Sequence, residues 1–187
     1  MADVFEELGS PEPDVRARAY NERGIDLIEL GNHDAAMVHL KEAERVSREA
    51  GIDELVVAAL INQGFAYTTQ GDREASTRLY AEAADMARQI GDTEKLKLAL
   101  ANLDVEYKSG GQHAEAIAAL SEYLDLLGED ETDMRARAFM SRGLSYVETG
   151  AFEKAYADLE DAGDAAADNG DETLICLVAI NHGYAYS

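Results

Sequence analysis

The chain has 187 residues, 47% of them apolar, enough to fill the core of one or two ordinary domains. Sixteen basic residues against 38 acidic ones leave a formal net charge of −22, which repels nucleic acid and anionic membrane surfaces. No apolar run approaches the length needed to span a bilayer, and the acidic opening at 1–10 lacks the basic start of a secretory signal, so a cytoplasmic location is expected.

In chain order, 1–13 reads as an N-terminal segment carrying the only two prolines, Pro11 and Pro13. From 14 onward Ala is abundant, β-branched residues are sparse, and apolar residues recur at three-and-four spacing, which predicts an all-α fold. Gly24 with Gly31, Gly64 with Gly71 and Gly143 with Gly150 share one spacing. Asp104 with Gly111 fits the same place with its first glycine replaced, and Gly183 opens another copy. From 24 to 64, 104, 143 and 183 the steps are 40, 40, 39 and 40. The last three place LINQGFAYT at 60–68 and AINHGYAYS at 179–187, 119 residues apart. A fixed period near forty marks a stacked array.

Each period predicts two helices. DELVVAALINQGFAYTTQ is the first, with Asp53 expected to cap it; Gly71-Asp72 makes the turn; REASTRLYAEAADMARQI is the second. Gly91 suits its C-terminal end, with Gly51, Gly128 and Gly170 expected in the same role, and Asp92 or Thr93 starts the next helix. The repeats therefore run 14–51, 52–91, 92–130 and 131–170, with 171–187 a first helix lacking its second, all within one array over 14–187. One pair cannot bury its apolar faces alone, so its neighbours must cover them.

No catalytic constellation is present: there is no phosphate-binding loop, dinucleotide fingerprint, HExxH or nucleophile elbow. No enzyme activity, cofactor or metal is expected. His33 and His113 occupy one turn position and are expected to be exposed; neither they nor His39 and His182 stand at ligand spacing from a second His or a Cys. Cys176, the single cysteine, is expected to be a small buried hydrophobe. Asp104, where the other repeats have glycine, is expected to open the helix crossing and reach water. Lysine occurs only at 41, 95, 97, 108 and 154, leaving eleven arginines. An acid-rich, lysine-poor surface suits a protein working in concentrated salt; the plainer alternative is that the carboxylates simply solvate helix faces.

These residues resemble the tetratricopeptide repeats. That family places a large residue, Gly and Tyr in the first helix, Gly at the turn, then Ala, a large residue and Ala in the second. Here they are Tyr20, Gly24, Leu27, Gly31, Ala36, Leu40 and Ala43; Leu60, Gly64, Tyr67, Gly71, Ser76, Tyr80 and Ala83; Leu100, Asp104, Tyr107, Gly111, Ala116, Leu120 and Tyr123; and Phe139, Gly143, Tyr146, Gly150, Ala155, Leu159 and Ala162. The long period resembles the subgroup with the Pins/LGN adaptors and kinesin light chains. The resemblance implies a right-handed superhelix, an α-solenoid, whose first helices line a concave groove binding a protein or peptide, neutral or basic given the charge. It implies groove positions at Asn62, Asn102 and Asn181, which recur at one repeat position, with Ile61, Phe65, Val105, Met140, Leu144 and Tyr184 beside them. The Asn residues either hold a peptide main chain or brace neighbouring helices. The cation clamp by which some members hold a terminal carboxylate is missing, since Asn21, Ile25, Asn62, Leu98 and Asn102 stand at its positions. The alternatives are a regulatory, peptide-sensing fragment of a larger signalling protein and a homo-oligomeric scaffold self-associating through 171–187.

Overall fold

The computed structural model describes residues 8–172 together with 175, 178 and 181. Regular structure among the described residues is α-helical: α1 Pro13–Glu29, α2 His33–Ala50, α3 Asp53–Gln70, α4 Arg73–Ile90, α5 Thr93–Ser109, α6 His113–Leu126, α7 Thr132–Glu148 and α8 Phe152–Asn169. They pair as the repeat predicts, α1 with α2, α3 with α4, α5 with α6 and α7 with α8, the hairpins of a tetratricopeptide-like helical solenoid. Glu172, Ile175, Val178 and Asn181 are helical; Cys176, Ile180, Gly183, Tyr184 and Tyr186 lie outside the described residues. The chain divides into two compact units, Met1–Ala99 and Leu100–Ser187.

Local chemistry sets the ends of these helices. Gly71 closes α3 at φ 77°, in the left-handed region that a Cβ disfavours, and Asp72 N–H reaches back to Tyr67 O at 3.0 Å. Asp72 then caps α4 by accepting from Ala75 N at 3.1 Å, and Asp92 caps α5 by accepting from Lys95 N at 3.0 Å. Asp53 does not cap α3: it is the first helical residue, behind Ile52, and contributes only its charge to the helix N-terminus.

Gly128 departs from expectation as well. Gly51, Gly91 and Gly170 end their helices in the left-handed conformation, whereas Gly128 is absent from that set. Helix α6 has 14 residues where α2, α4 and α8 have 18; it stops at Leu126, and Leu127 is extended. Gly128 N–H donates instead to Glu131 Oε2 at 2.7 Å. The missing turn lies in the one repeat whose step is 39 rather than 40.

Packing follows the small-against-large pattern. In the first unit Gly24 faces Leu40, and Leu27, Ile28, Ala36, Leu40 and Ala66 form one buried cluster. Gly64 faces Tyr80, 1% exposed, so closely that an added Cβ would come within 2.7 Å of the ring. In the second unit Gly143 faces Leu159, and Ala136, Ala162, Ala166 and Val178 pack with Phe139 and Met140 at their edge.

Candidate functional site

Helix α3 is apolar on most of its circumference, with Val56, Val57, Ala59, Leu60, Ile61, Gly64 and Ala66 all buried. Helices on two sides cover it, α2 and α4, with α1 also in contact. One strip stays open. Residues one turn apart share a face: Asn62, half-buried, and Phe65, 42% exposed, lie along this strip, and buried Ile61 borders it. Asn62 Nδ2 donates to Asn21 Oδ1 on α1 at 3.0 Å. Asn62 therefore braces α3 against α1 with one amide hydrogen; a carboxamide also has a second donor and an acceptor oxygen. Next to it Gln63, 3% exposed, donates from Nε2 to Glu44 Oε2 at 2.6 Å. Glu44 also receives Arg48 Nε at 2.9 Å, and Arg48 reaches Glu82 at 2.9 Å, so one polar chain ties α3, α2 and α4 together.

In the second unit Val105, at the Phe65 position, is 52% exposed on α5. Ala101 and Asn102 are half-buried on the same helix, as are Met140, Ser141 and Leu144 on α7 and Asn181 beyond α8. Tyr184 lies outside the described residues.

Asp104 corrects the expectation that it would reach water. It is 6% exposed, its Oδ2 2.9 Å from Lys108 Nζ one turn along α5, and it accepts a 2.8 Å hydrogen bond from Ser141 Oγ on α7. Lys108 Nζ also donates to Ser141 Oγ. Partners on two sides make the burial tolerable, although Oδ1 remains buried without a hydrogen bond. Repeat spacing does not point to Arg142, whose guanidinium grips Asp158 bidentately at 2.7 and 2.8 Å and donates to Ser121 Oγ at 3.0 Å. Its carbon lies 5.7 Å from the Phe139 ring centre and 5.9 Å from that of Tyr146.

The histidines are less open than predicted. His33 and His113 are both half-buried, and His113 Nδ1 is buried without a partner. Burial, then Arg23, lowers the pKa of His39, whose ring packs 5.8 Å from Tyr20. Among the described residues no three His, Cys, Asp or Glu side chains are placed to hold a metal ion, and no helix is long and apolar enough to cross a membrane.

No curated protein matches the chain significantly. Solved structures similar in shape include BtubC (BKLC) from P. vanneervenii, with TM-score 0.77 and 22% identity over 90% of this chain and 71% of that one. A signal transduction ATPase with a tetratricopeptide repeat sensor, from Pyrococcus horikoshii, gives TM-score 0.83 at 16% identity over 98% of this chain, which spans 29% of that protein. A putative kinesin light chain from Podosopora anserina, with nearly identical TPR-like repeats, gives TM-score 0.76 at 16% identity over 95% of this chain and 88% of that one. At such identities these likenesses establish the helical-repeat fold and do not single out the kinesin light chain or Pins/LGN subgroup. A family model described as Anaphase-promoting complex subunit 5 matches in three successive stretches, 25–61, 53–105 and 104–183, and the chain therefore belongs to that family.

Proposed function

We propose that the chain is a non-catalytic binding module for a protein or peptide segment, held along the inner faces of its first helices. The observation that carries this reading is the recurrence of an exposed apolar side chain beside a carboxamide: Phe65 with Asn62 in one unit, Val105 with Asn102 in the other. A main-chain amide offers a donor and an acceptor, and an Asn side chain can answer both. Half-buried Met140 and Leu144 extend the apolar surface in the second unit, and Ile61 shapes the floor in the first. Reading 14–187 as one array, with Asn181 and Tyr184 continuing the series, belongs to the same proposal. The partner is neutral or basic, because a −22 surface opposes an acidic one.

A peptide library displayed on phage and selected against the intact chain supplies the ligand. Titrating a selected peptide against Asn62→Ala and Asn102→Ala then tests the site. Losing a buried hydrogen-bond partner costs about 1–3 kcal/mol, so each variant is expected to bind about tenfold more weakly with helical content unchanged. Unchanged affinity in both would remove the inner faces from consideration. A second reading, a sensor region within a larger signalling protein, draws on the P. horikoshii structure, whose repeats are described as a sensor and of which this chain spans 29%; a longer natural reading frame carrying a signalling domain would favour it.

A further inference from the structure

The second helices are not finished alike. Before α2 and α4 a side chain accepts a backbone hydrogen, Asn32 Oδ1 from Ala35 N at 3.4 Å and Asp72 Oδ1 from Ala75 N at 3.1 Å. Arg48 or Arg88 stands in the last turn, where a cation suits the helix dipole, and a left-handed glycine, Gly51 or Gly91, closes the end. Helix α6 has none of the three. Gln112 precedes it without a side-chain cap, its last turn holds no cation, and Leu127 after it is extended. From His113 to Leu126 there is no Lys or Arg, while Glu115, Glu122 and Asp125 are present. Asp125 falls in the last turn, where the dipole opposes an anion.

Packing departs in the same hairpin. Gly24, Gly64 and Gly143 bring their helices onto Leu40, Tyr80 and Leu159, whereas Asp104 stands at that position in α5. Ala43, Ala83 and Ala162 are buried in the other second helices; Tyr123, at their position in α6, is half-buried. Two buried polar atoms of the hairpin, Asp104 Oδ1 and His113 Nδ1, have no hydrogen-bond partner. With 14 residues against 18 in α2 and α4, α6 also has one turn less to pack. The other carboxylate oxygen of Asp104 bypasses α6: it meets Lys108 Nζ on α5 and accepts from Ser141 Oγ on α7, and Lys108 donates to the same hydroxyl.

We propose that α6 opens by itself inside the folded molecule, while the bridge of Asp104, Lys108 and Ser141 keeps α5 on α7. Local openings start in the segments with the fewest packing contacts and the poorest ends. In a repeat array stability is the sum of each unit's own and its neighbours' terms, so one weak helix can part without the rest. Opening separates Leu120, Leu124 and Leu127 from Ala138 of α7 and bares an apolar surface that is otherwise buried. Asn102 and Val105 stay in place on the tethered α5, so the opening does not depend on how the inner helix faces are used.

Hydrogen exchange of the intact chain, followed amide by amide by NMR, tests the proposal. Ala116, Leu120 and Leu124 in α6 stand at the repeat positions of Ser76, Tyr80 and Ala84 in α4. All six are buried, so a difference between them reports opening rather than exposure. Protection factors at the α6 positions are expected to be at least about tenfold lower than at the α4 positions, with the Asp104 and Glu106 amides of α5 remaining at the α4 level. Lys108→Met cuts the bridge and should bring the Asp104 and Glu106 amides down to the α6 level. Ser141→Ala removes one arm of the same bridge and should lower them in the same direction; it is the milder variant should Lys108→Met fail to fold, which circular dichroism reads. Equal protection in α6 and α4 would overturn the opening. Exchange of α5 in step with α6 in the parent chain, or α5 protection unchanged in the folded variants, would overturn the role of the bridge.

Discussion

Asp104 stands where three other repeats place Gly24, Gly64 and Gly143, and a buried carboxylate at a tight helix crossing is tolerated only with its partners. Lys108 and Ser141 are those partners. Lys108→Met leaves the carboxylate facing Ser141 alone and is expected to cost about 1–3 kcal/mol, Lys108 being partly solvated. Adding Asp104→Gly to that variant restores the repeat's own solution and should recover part of the loss; urea unfolding of the single and double variants reads both. A double variant weaker than Lys108→Met would show that Asp104 stabilises the fold through some other contact. Asp161 behaves in the opposite sense. Its folded pKa is raised by burial and by Asp158, Asp164 and Glu160, so folding favours its neutral form. It does not oppose folding while protonated in both states, at pH below its ordinary value. It opposes folding as pH rises through the raised value. Asp161 is nevertheless exposed and solvent screens its repulsion, so Asp161→Asn is expected to melt only slightly higher than the parent at neutral pH, with the gap closing as pH falls through the carboxylate range. A gap independent of pH would point to packing rather than charge.

Among the helices, the glycine spacing and the apolar period made the hairpins legible in advance, because both are local properties: a helix face repeats every 3.6 residues, and a positive-φ turn selects glycine. The partners of Asp104 and Arg142 were not legible from spacing alone, since Ser141 and Asp158 reach them from other helices. Nor was the short α6, where Gly128 reads as one more terminal glycine until Leu127 proves extended. Repeat position alone does not set exposure: Phe65 and Val105 are exposed on their helices, whereas Ile61 is buried. The approach of paired helices gives a graded expectation. An alanine Cβ at 64 would meet the Tyr80 ring at 2.7 Å and one at 24 would meet Leu40 at 2.5 Å, but one at 143 would meet Leu159 at 3.1 Å. Overpacking typically costs about 1–3 kcal/mol, while replacing a helical glycine by alanine recovers about 1 kcal/mol of helix propensity. Gly64→Ala and Gly24→Ala should therefore lower the melting temperature clearly and Gly143→Ala little. A larger loss at 143 than at 64 would contradict the packing described.

For the whole molecule, 38 acidic against 16 basic residues set a self-repulsion that surface ion pairs do little to offset. Added salt screens it within about 10 Å at 0.1 M ionic strength. The melting temperature is expected to rise from dilute buffer to molar KCl; a flat or falling curve would mean that the carboxylates only solvate helix faces. The same charge frames the binding reading, in which a neutral or basic segment approaches an acidic molecule and settles on apolar side chains flanked by carboxamides. Chemical-shift mapping of a display-selected peptide on the labelled intact chain tests that reading most directly. The largest shifts are expected on α3, α5 and α7, at Asn62, Phe65, Asn102, Val105 and Leu144, with saturation lost or weakened about tenfold in Asn62→Ala and Asn102→Ala. Shifts confined to α2, α4, α6 and α8, with affinity unchanged in both variants, would contradict it.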